Sequence, residues 1–209
     1  MPNAAERVDS GSDMLAERDA ETLSTRDWIN AAKALLIREG IDAVKVDRIA
    51  RMCGVTRGGF YWRFRNRAEL LDELLNEWVQ TNTTPLLDAL NSTGTPAERF
   101  ERVASLWLEE TQFDPRFDTA VRGWAVHDAR AADVVRRIDQ QRVDAFVALF
   151  LDAGYDPTIA LVRARTTYFL QVGYYALALD ETREARRKLR RAYSYVLTGF
   201  AEFADPEGD

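Results

Sequence analysis

The sequence predicts an all-α protein, with a three-helix helix-turn-helix unit near the N-terminus and a larger helical domain behind it. Three observations carry this. Apolar residues recur at helical spacing through almost the whole chain, and no segment alternates apolar with polar residues as a half-buried strand does. Helix start signals, a Ser, Thr or Asp followed by Pro or an acidic residue, recur along the chain, and glycines close several of the periodic runs. With 209 residues and 46% apolar composition, the chain holds enough material for one large core or two smaller ones.

Residues 1–23 carry two basic residues (Arg7, Arg18) against six acidic ones and lack an apolar stretch, so they are expected to be a disordered tail, neither a signal peptide nor an anchor. Ser24 or Thr25 can cap a first helix whose inner face is Trp28, Ala32, Leu35 and Leu36, and Gly40 ends it. Val46, Ile49, Ala50 and Cys53 then fall on one helical face, and Gly54 stops the run after barely two turns. Thr56 restarts it. A short helix, a glycine turn and a second short helix make a helix-turn-helix, whose second helix can enter the major groove of DNA. The expected division is a DNA-binding domain over residues 24–70 and a second helical domain over 71–209.

Gly58 and Gly59 stand side by side in the second short helix, where each costs roughly 1 kcal/mol relative to alanine. Two readings account for them: close approach of the helix to DNA, or tight packing against the chain's own helices. The flanking residues fit the first. Thr56 can cap the helix and leave its amides facing phosphate, and Arg57 in the first turn can reach guanine O6 and N7 together. Tyr61 can offer its hydroxyl to phosphate, while Phe60 and Phe64, four apart, point back into the core.

Charge distribution agrees, although the formal net charge of −6 at first sight opposes a polyanionic partner. Residues 24–70 hold ten basic residues against five acidic ones, a net +5, while the tail is −4 and residues 71–209 are −7. The positive charge is segregated into the helix-turn-helix.

These residues resemble the DNA-binding module of the TetR family of bacterial repressors. The match runs from Gly40 to Leu71, and Val55 to Trp62 is most similar to members that control multidrug efflux pumps. The family pattern of Ile-Ala, Gly-Val-Ser/Thr, a Lys/Arg-Gly run, Tyr-His/Trp, Phe and an opening Lys of the fourth helix is met by Ile49-Ala50, Gly54-Val55-Thr56, Arg57-Gly58, Tyr61-Trp62, Phe64 and Arg67. The resemblance implies that Thr56, Tyr61, Trp62 and Arg67 touch the DNA backbone and that Arg57, Gly58 and Gly59 face base edges. Lys45 stands where the family usually has a capping Ser or Thr, and can itself bind phosphate. Arg63 replaces a common His.

Beyond Arg67 a long helix presents Leu70, Leu71, Leu74, Leu75 and Trp78 on one face and runs to Pro85. Thr95-Pro96-Ala97-Glu98 is a capping box with proline at the first helical position, and Asp114-Pro115 and Asp156-Pro157 repeat this start signal. Further helices are expected near 97–112, 115–128, 131–153, 157–179 and 181–203. One stripe, Leu189, Tyr193, Val196, Phe200 and Phe203, and another, Ala160, Ala164, Thr167, Tyr168, Gln171, Tyr175 and Ala178, occupy the last two. Either they pack within one chain or, as the resemblance implies, they pair with their copies in a twofold homodimer. The basic run Arg183 to Arg191 reads as a solvated face.

Residues 107–175 are rich in aromatics with polar tips, which suits a pocket for a small, largely apolar effector. Candidate lining residues are Trp107, Phe113, Trp124, His127, Tyr168, Gln171 and Tyr174. The expected function is a ligand-responsive transcriptional repressor that binds a palindromic double-stranded DNA operator as a homodimer. The alternatives are a helical adaptor and a constitutive DNA-binding protein. Catalysis is not expected: the sole histidine, His127, and the sole cysteine, Cys53, lie 74 positions apart, and the adjacent Glu109 and Glu110 point in different directions on a helix. No cofactor or metal is called for. With one cysteine and no run of about 18 apolar residues, a cytoplasmic protein without a membrane partner is expected.

Overall fold

The computed structural model describes residues 23–205, so the expected tail lies, apart from Leu23, outside the described residues. All regular structure among them is helical, and the chain divides into two compact units, Met1–Glu77 and Trp78–Asp209.

The first unit holds α1 (Thr25–Glu39), a 3-10 turn (Ile41–Ala43), α2 (Val46–Met52), α3 (Arg57–Tyr61) and the greater part of α4 (Arg67–Asn82). Ser24 is the N-cap of α1 and forms a full capping box with Asp27, and Gly40 closes the helix at φ 81°. Hydrogen bonds from the Ser24 hydroxyl and amide hold the Asp27 carboxyl below its ordinary pKa. Trp28, Ala32, Leu35, Leu36, Val44, Ile49, Phe60, Phe64, Leu70 and Leu74 form the core. Phe60 stands edge-on to Trp28 at 5.6 Å and stacks on Phe64 at 5.2 Å, which fixes how α3 sits on α1. Gly54 takes the left-handed conformation (φ 72°) that the tight α2–α3 turn demands.

The second unit contains the last turn of α4, then α5 (Thr84–Asn91), α6 (Pro96–Glu109), α7 (Pro115–Ala125), α8 (Ala129–Asp152), α9 (Pro157–Ala176) and α10 (Arg183–Thr198). The capping box of Thr95 and Glu98 starts α6, and Asp114 and Asp156 cap α7 and α9 ahead of their prolines. A separate α5 was not expected. Pro85 lies in its first turn, where a missing N–H breaks no hydrogen bond, so this proline starts a helix instead of only stopping one.

Phe100, Val103, Phe146, Phe150, Ala160 and Ala164 centre the core of this unit. The second expected stripe is largely internal: Ala160, Ala164, Thr167 and Tyr168 are buried within the chain, where small side chains let α9 lie close on α8. The final helix is shorter than 181–203. It ends at Thr198 because Gly199 adopts a left-handed conformation (φ 70°), and Phe200 and Phe203 fold back into the core beside Phe150 and Phe100. The turn is clamped. Tyr155 Oη donates to Thr198 O at 2.7 Å, Arg163 Nη1 donates to Leu197 O at 2.8 Å, and a Cβ on Gly199 would meet both side chains at 2.9 Å.

A buried polar network binds four helices of this unit. Arg142, 1% exposed, donates through Nη2 to Thr83 Oγ1 and Asn82 O and through Nη1 to Tyr168 Oη and Asp118 Oδ1. Arg122 reaches Asp118 at 2.8 Å and grips both oxygens of Asp139, while Trp78 Nε1 donates to Asp118 at 3.0 Å. Burial works to raise the Asp118 pKa, but Arg142 and Arg122 outweigh it and hold the carboxyl below its ordinary value.

Candidate functional site

The face of α3 is built from both sides of the helix-turn-helix. Phe60 and Phe64 anchor one side of the helix, which leaves Arg57, Gly58, Tyr61 and Trp62 on the outside. Trp62 is 70% exposed, too far out for a core indole. Arg57 Nη2 donates to Tyr61 Oη at 3.3 Å, and Arg57 Nε lies 3.5 Å from Asp47 Oδ1 on α2. The guanidinium is thus steered by exposed neighbours without being buried by them. Asp47 was not singled out from the sequence, since a helix surface carboxylate gives no signal until the fold brings it opposite Arg57.

The two glycines divide. Gly59 is buried, in keeping with packing. Gly58 is exposed, and a Cβ there would meet only Thr56 Oγ1 at an ordinary 3.5 Å, so nothing in the chain itself requires the missing side chain.

One sequence expectation changes, the Thr56 side-chain cap, and two further candidates find their places. Thr56 is the N-cap of α3 by backbone conformation (φ −75°, ψ 159°), yet its hydroxyl caps no amide. Lys45 is exposed at the start of α2 and likewise makes no side-chain cap. Arg67 is turned inward: Nε donates to Val44 O at 2.6 Å and Nη2 to Ile41 O at 3.1 Å, the latter carbonyl also accepting the Val44 amide within the 3-10 turn. Cys53 is partly buried, and burial raises its thiol pKa, which agrees with an inert packing role.

In the second unit a cavity of about 120 Å³ lies between α6, α9 and α10. Of the seven candidates, Trp107, Gln171 and Tyr174 line it. The other four lie elsewhere. Phe113 packs in the core against Tyr175 at 5.4 Å, Trp124 is buried on α7, and Tyr168 belongs to the Arg142 network. His127 is exposed just beyond α7, since the helix ends at Ala125 before its ring can turn inward. Residues the sequence did not single out complete the lining, among them Phe100, Thr167, Leu189, Arg190 and Leu197. Their signal was helical spacing: Thr167, Gln171 and Tyr174 share one face of α9, and Arg186, Arg190, Tyr193 and Leu197 one face of α10.

The α10 basic run is therefore not simply a solvated face. Arg186 pairs with Glu110 and donates to Trp107 O at 2.6 Å, Arg187 pairs with Glu109, and Arg190 pairs with Glu101. These bonds hold α10 against α6. The adjacent Glu109 and Glu110, read from the sequence as divergent carboxylates, each take a separate arginine.

Among the described residues no cluster of His, Cys, Asp and Glu can hold a metal ion, and no helix is long and apolar enough to cross a membrane.

Residues 29–74 match the family model of bacterial regulatory proteins of the tetR family. The chain is 39% identical over 54 residues to the HTH-type transcriptional regulator TtgR of Pseudomonas putida, a match covering 26% of each protein. It is 39% identical over 62 residues to the HTH-type transcriptional repressor BdcR of Escherichia coli, covering 30% of this chain and 32% of the relative. The chain thus spans about a quarter to a half of the length of the curated relatives it matches. Over the longer range, the structure of a TetR/AcrR-family transcriptional regulator from Thermobifida fusca superposes with a TM-score of 0.62 at 16% identity, covering 85% of this chain and 97% of that one. Residues 29–74 are therefore similar to the DNA-binding segment of the bacterial regulatory proteins of the tetR family, and the described chain shares the all-helical fold of the Thermobifida fusca regulator.

Proposed function

We propose that the protein is a transcriptional repressor that binds a palindromic DNA operator through α3 of each of two copies and is released by a small, largely apolar effector. The observation that carries the reading is the outer face of α3. An exposed arginine, tyrosine and tryptophan surround a glycine whose bareness serves nothing inside the chain, and they lie within residues 29–74, which match the tetR family model. Arg57 reads a guanine edge, Tyr61 and Lys45 bind backbone phosphate, and Gly58 allows close approach.

One recognition helix covers few bases, so two copies are needed for usable affinity. The homodimer face is the exposed apolar side of α9 and α10: Val162, Phe169, Leu177, Tyr193 and Val196, the last 75% exposed. It keeps Tyr193 and Val196 of the expected stripes, whose buried members serve the chain's own core.

The effector site is the cavity lined by Trp107, Gln171 and Tyr174. Helix α4 is the coupling element, because Arg67 at its start is bonded to Ile41 and Val44 while Asn82 at its end gives its carbonyl to Arg142. A shift of its far end changes the spacing of two recognition helices that must meet grooves a fixed distance apart. Coupling of about 1 to 3 kcal/mol loosens DNA roughly 5- to 150-fold, and operator weakens effector binding by the same factor.

The test is selection of DNA from a random pool by the purified protein, followed by competition with single-base variants. A palindrome whose binding falls steeply with salt supports the reading. Retention of no sequence, or a binding curve indifferent to salt, refutes it.

A further inference from the structure

We propose that the cavity between α6, α9 and α10 takes a hydrophobic molecule ending in an acceptor-only oxygen group, a carboxylate or carbonyl, held by Thr167, Gln171 and Arg190. This rests on the reading of that cavity as the effector site and adds the chemistry of the effector.

The body of the cavity is apolar, with Phe100, Trp107, Leu170, Leu189 and Leu197 in its wall. Its polar groups are not balanced between donors and acceptors. The Glu181 carboxylate already accepts from Tyr174 Oη at 2.8 Å. The Arg186 guanidinium is engaged by Glu110, Trp107 O and Tyr175 Oη. Three buried atoms of the lining are without a hydrogen-bond partner, and all can donate: Thr167 Oγ1, Gln171 Nε2 and Arg190 Nε, with the Tyr193 and Ser194 hydroxyls also in the wall. The Tyr175 hydroxyl, which donates to Trp107 O and accepts from Arg186, is close enough to feel the Gln171 carboxamide, yet Gln171 Nε2 makes no hydrogen bond to it of ordinary geometry. Arg190 uses its other nitrogens on Glu101 and Ser105.

Thr167 and Gln171 stand one turn apart on α9, and Arg190 lines the same cavity from α10. A buried donor without an acceptor is destabilising, and native structures keep few of them unless a ligand or water completes the bond. Turning the Thr167 hydroxyl and the Gln171 carboxamide toward the cavity directs them onto one guest oxygen. Burial pushes the Arg190 pKa down, so an anion placed beside it recovers part of the lost solvation. An ammonium head finds the reverse: the wall holds two guanidinium groups, Arg186 and Arg190, against the single Glu181 carboxylate, which already accepts from Tyr174.

The experiment uses the intact protein without DNA and three probes of one chain length, octanoate, 1-octanol and octylammonium, measured by calorimetry and by tryptophan emission. Octanoate should bind at least about tenfold more tightly than octylammonium, with octanol between them, the size expected of a hydrogen bond to a charged group. The shape-preserving variants Gln171→Leu and Thr167→Val should each lower octanoate affinity severalfold and leave octylammonium unchanged. An equal or reversed order of the two charged probes on the wild-type protein overturns the proposal, as does failure of all three to bind at millimolar concentration. That comparison needs no variant to fold. Operator release is scored separately. Acceptor preference without any release sinks the effector reading while leaving the site, whereas release by compounds indifferent to Gln171 and Thr167 sinks this site while leaving the regulator.

Discussion

Arginines do opposite work in the two units. On α3 the Arg57 guanidinium stands in solvent, touched by Tyr61 and Asp47 at the edge of bonding distance. In the second unit Arg142 is shut away and uses its nitrogens on Thr83, Asn82, Asp118 and Tyr168, while Arg122 is clamped between two aspartates. Exposed ion pairs such as the first contribute at most about 1 kcal/mol and leave the cation available to another anion. Buried ones fix helices, and breaking one is costly because the partners stay behind without compensation. A count of basic residues cannot separate these roles. What separates them is whether the chain has already supplied the guanidinium with acceptors.

The comparison can be broken most forcefully at Arg142. Arg142→Met should lower the unfolding free energy by about 3 kcal/mol, read by urea titration, because Thr83, Tyr168 and the Asn82 carbonyl lose their partner. Stability equal to wild type would mean that the network is ornamental. Its pH dependence has a fixed sign. Because the Asp118 pKa is lowered in the folded state, its contribution is full above the unfolded carboxylate pKa and fades as pH falls through the folded value. Arg142→Met should flatten that acid limb.

Arg57→Ala should do the reverse. It leaves stability within about 0.5 kcal/mol, as expected at an exposed site. Operator affinity falls by about 1 to 3 kcal/mol, with the loss of preference confined to one base per half-site. Unchanged preference in competition binding removes Arg57 from base readout.

Arg67 is the intermediate case, since it lies in the basic unit but behaves like Arg142. Arg67→Ala should cost about 1 kcal/mol of stability, chiefly through the Val44 carbonyl, since Ile41 O keeps the Val44 amide. The salt slope of DNA binding should stay where it was. A slope shallower by roughly one unit, with stability intact, would return Arg67 to the phosphate-binding set.

Gly58→Ala is the finest test. Alanine raises helix propensity by up to about 1 kcal/mol, and the added Cβ meets nothing closer than 3.5 Å, so the melting temperature should rise or hold. DNA binding should weaken all the same. A variant both more stable and equally tight on DNA would show that no partner approaches α3 at this position.

The parts legible in the sequence were those governed by neighbours along the chain. The Ser24–Asp27 and Thr95–Glu98 boxes, the Asp-Pro starts at 114 and 156, and the Phe60–Phe64 pair are local chemistry, and local chemistry placed them correctly. Four features required the fold. Pro85 starts a helix where the sequence suggested a stop, since a proline in a first turn and one just beyond a last turn look alike. Phe200 and Phe203 continue the α10 periodicity on paper, but a single left-handed glycine redirects them. Arg67 carries the spacing of a phosphate contact while its acceptors, Ile41 and Val44, lie more than twenty residues earlier. The cavity draws on α6, α9 and α10, so aromatic richness located the region but not its walls: Tyr168 and Trp124 were as plausible as Gln171 until packing assigned them.

The clamp around Gly199 has a consequence for how such a protein keeps to itself in a cell with relatives. Tyr155 and Arg163, from the end of one helical hairpin, hold the carbonyls at the close of α10, so α9 and α10 present their outer residues as one plate of fixed register. A plate that cannot slide cannot adjust to a near-match. Under the proposed pairing of two copies through this plate, a single bulky or charged change on one copy should disfavour mixed pairs, so few substitutions would be needed to separate two versions of the chain.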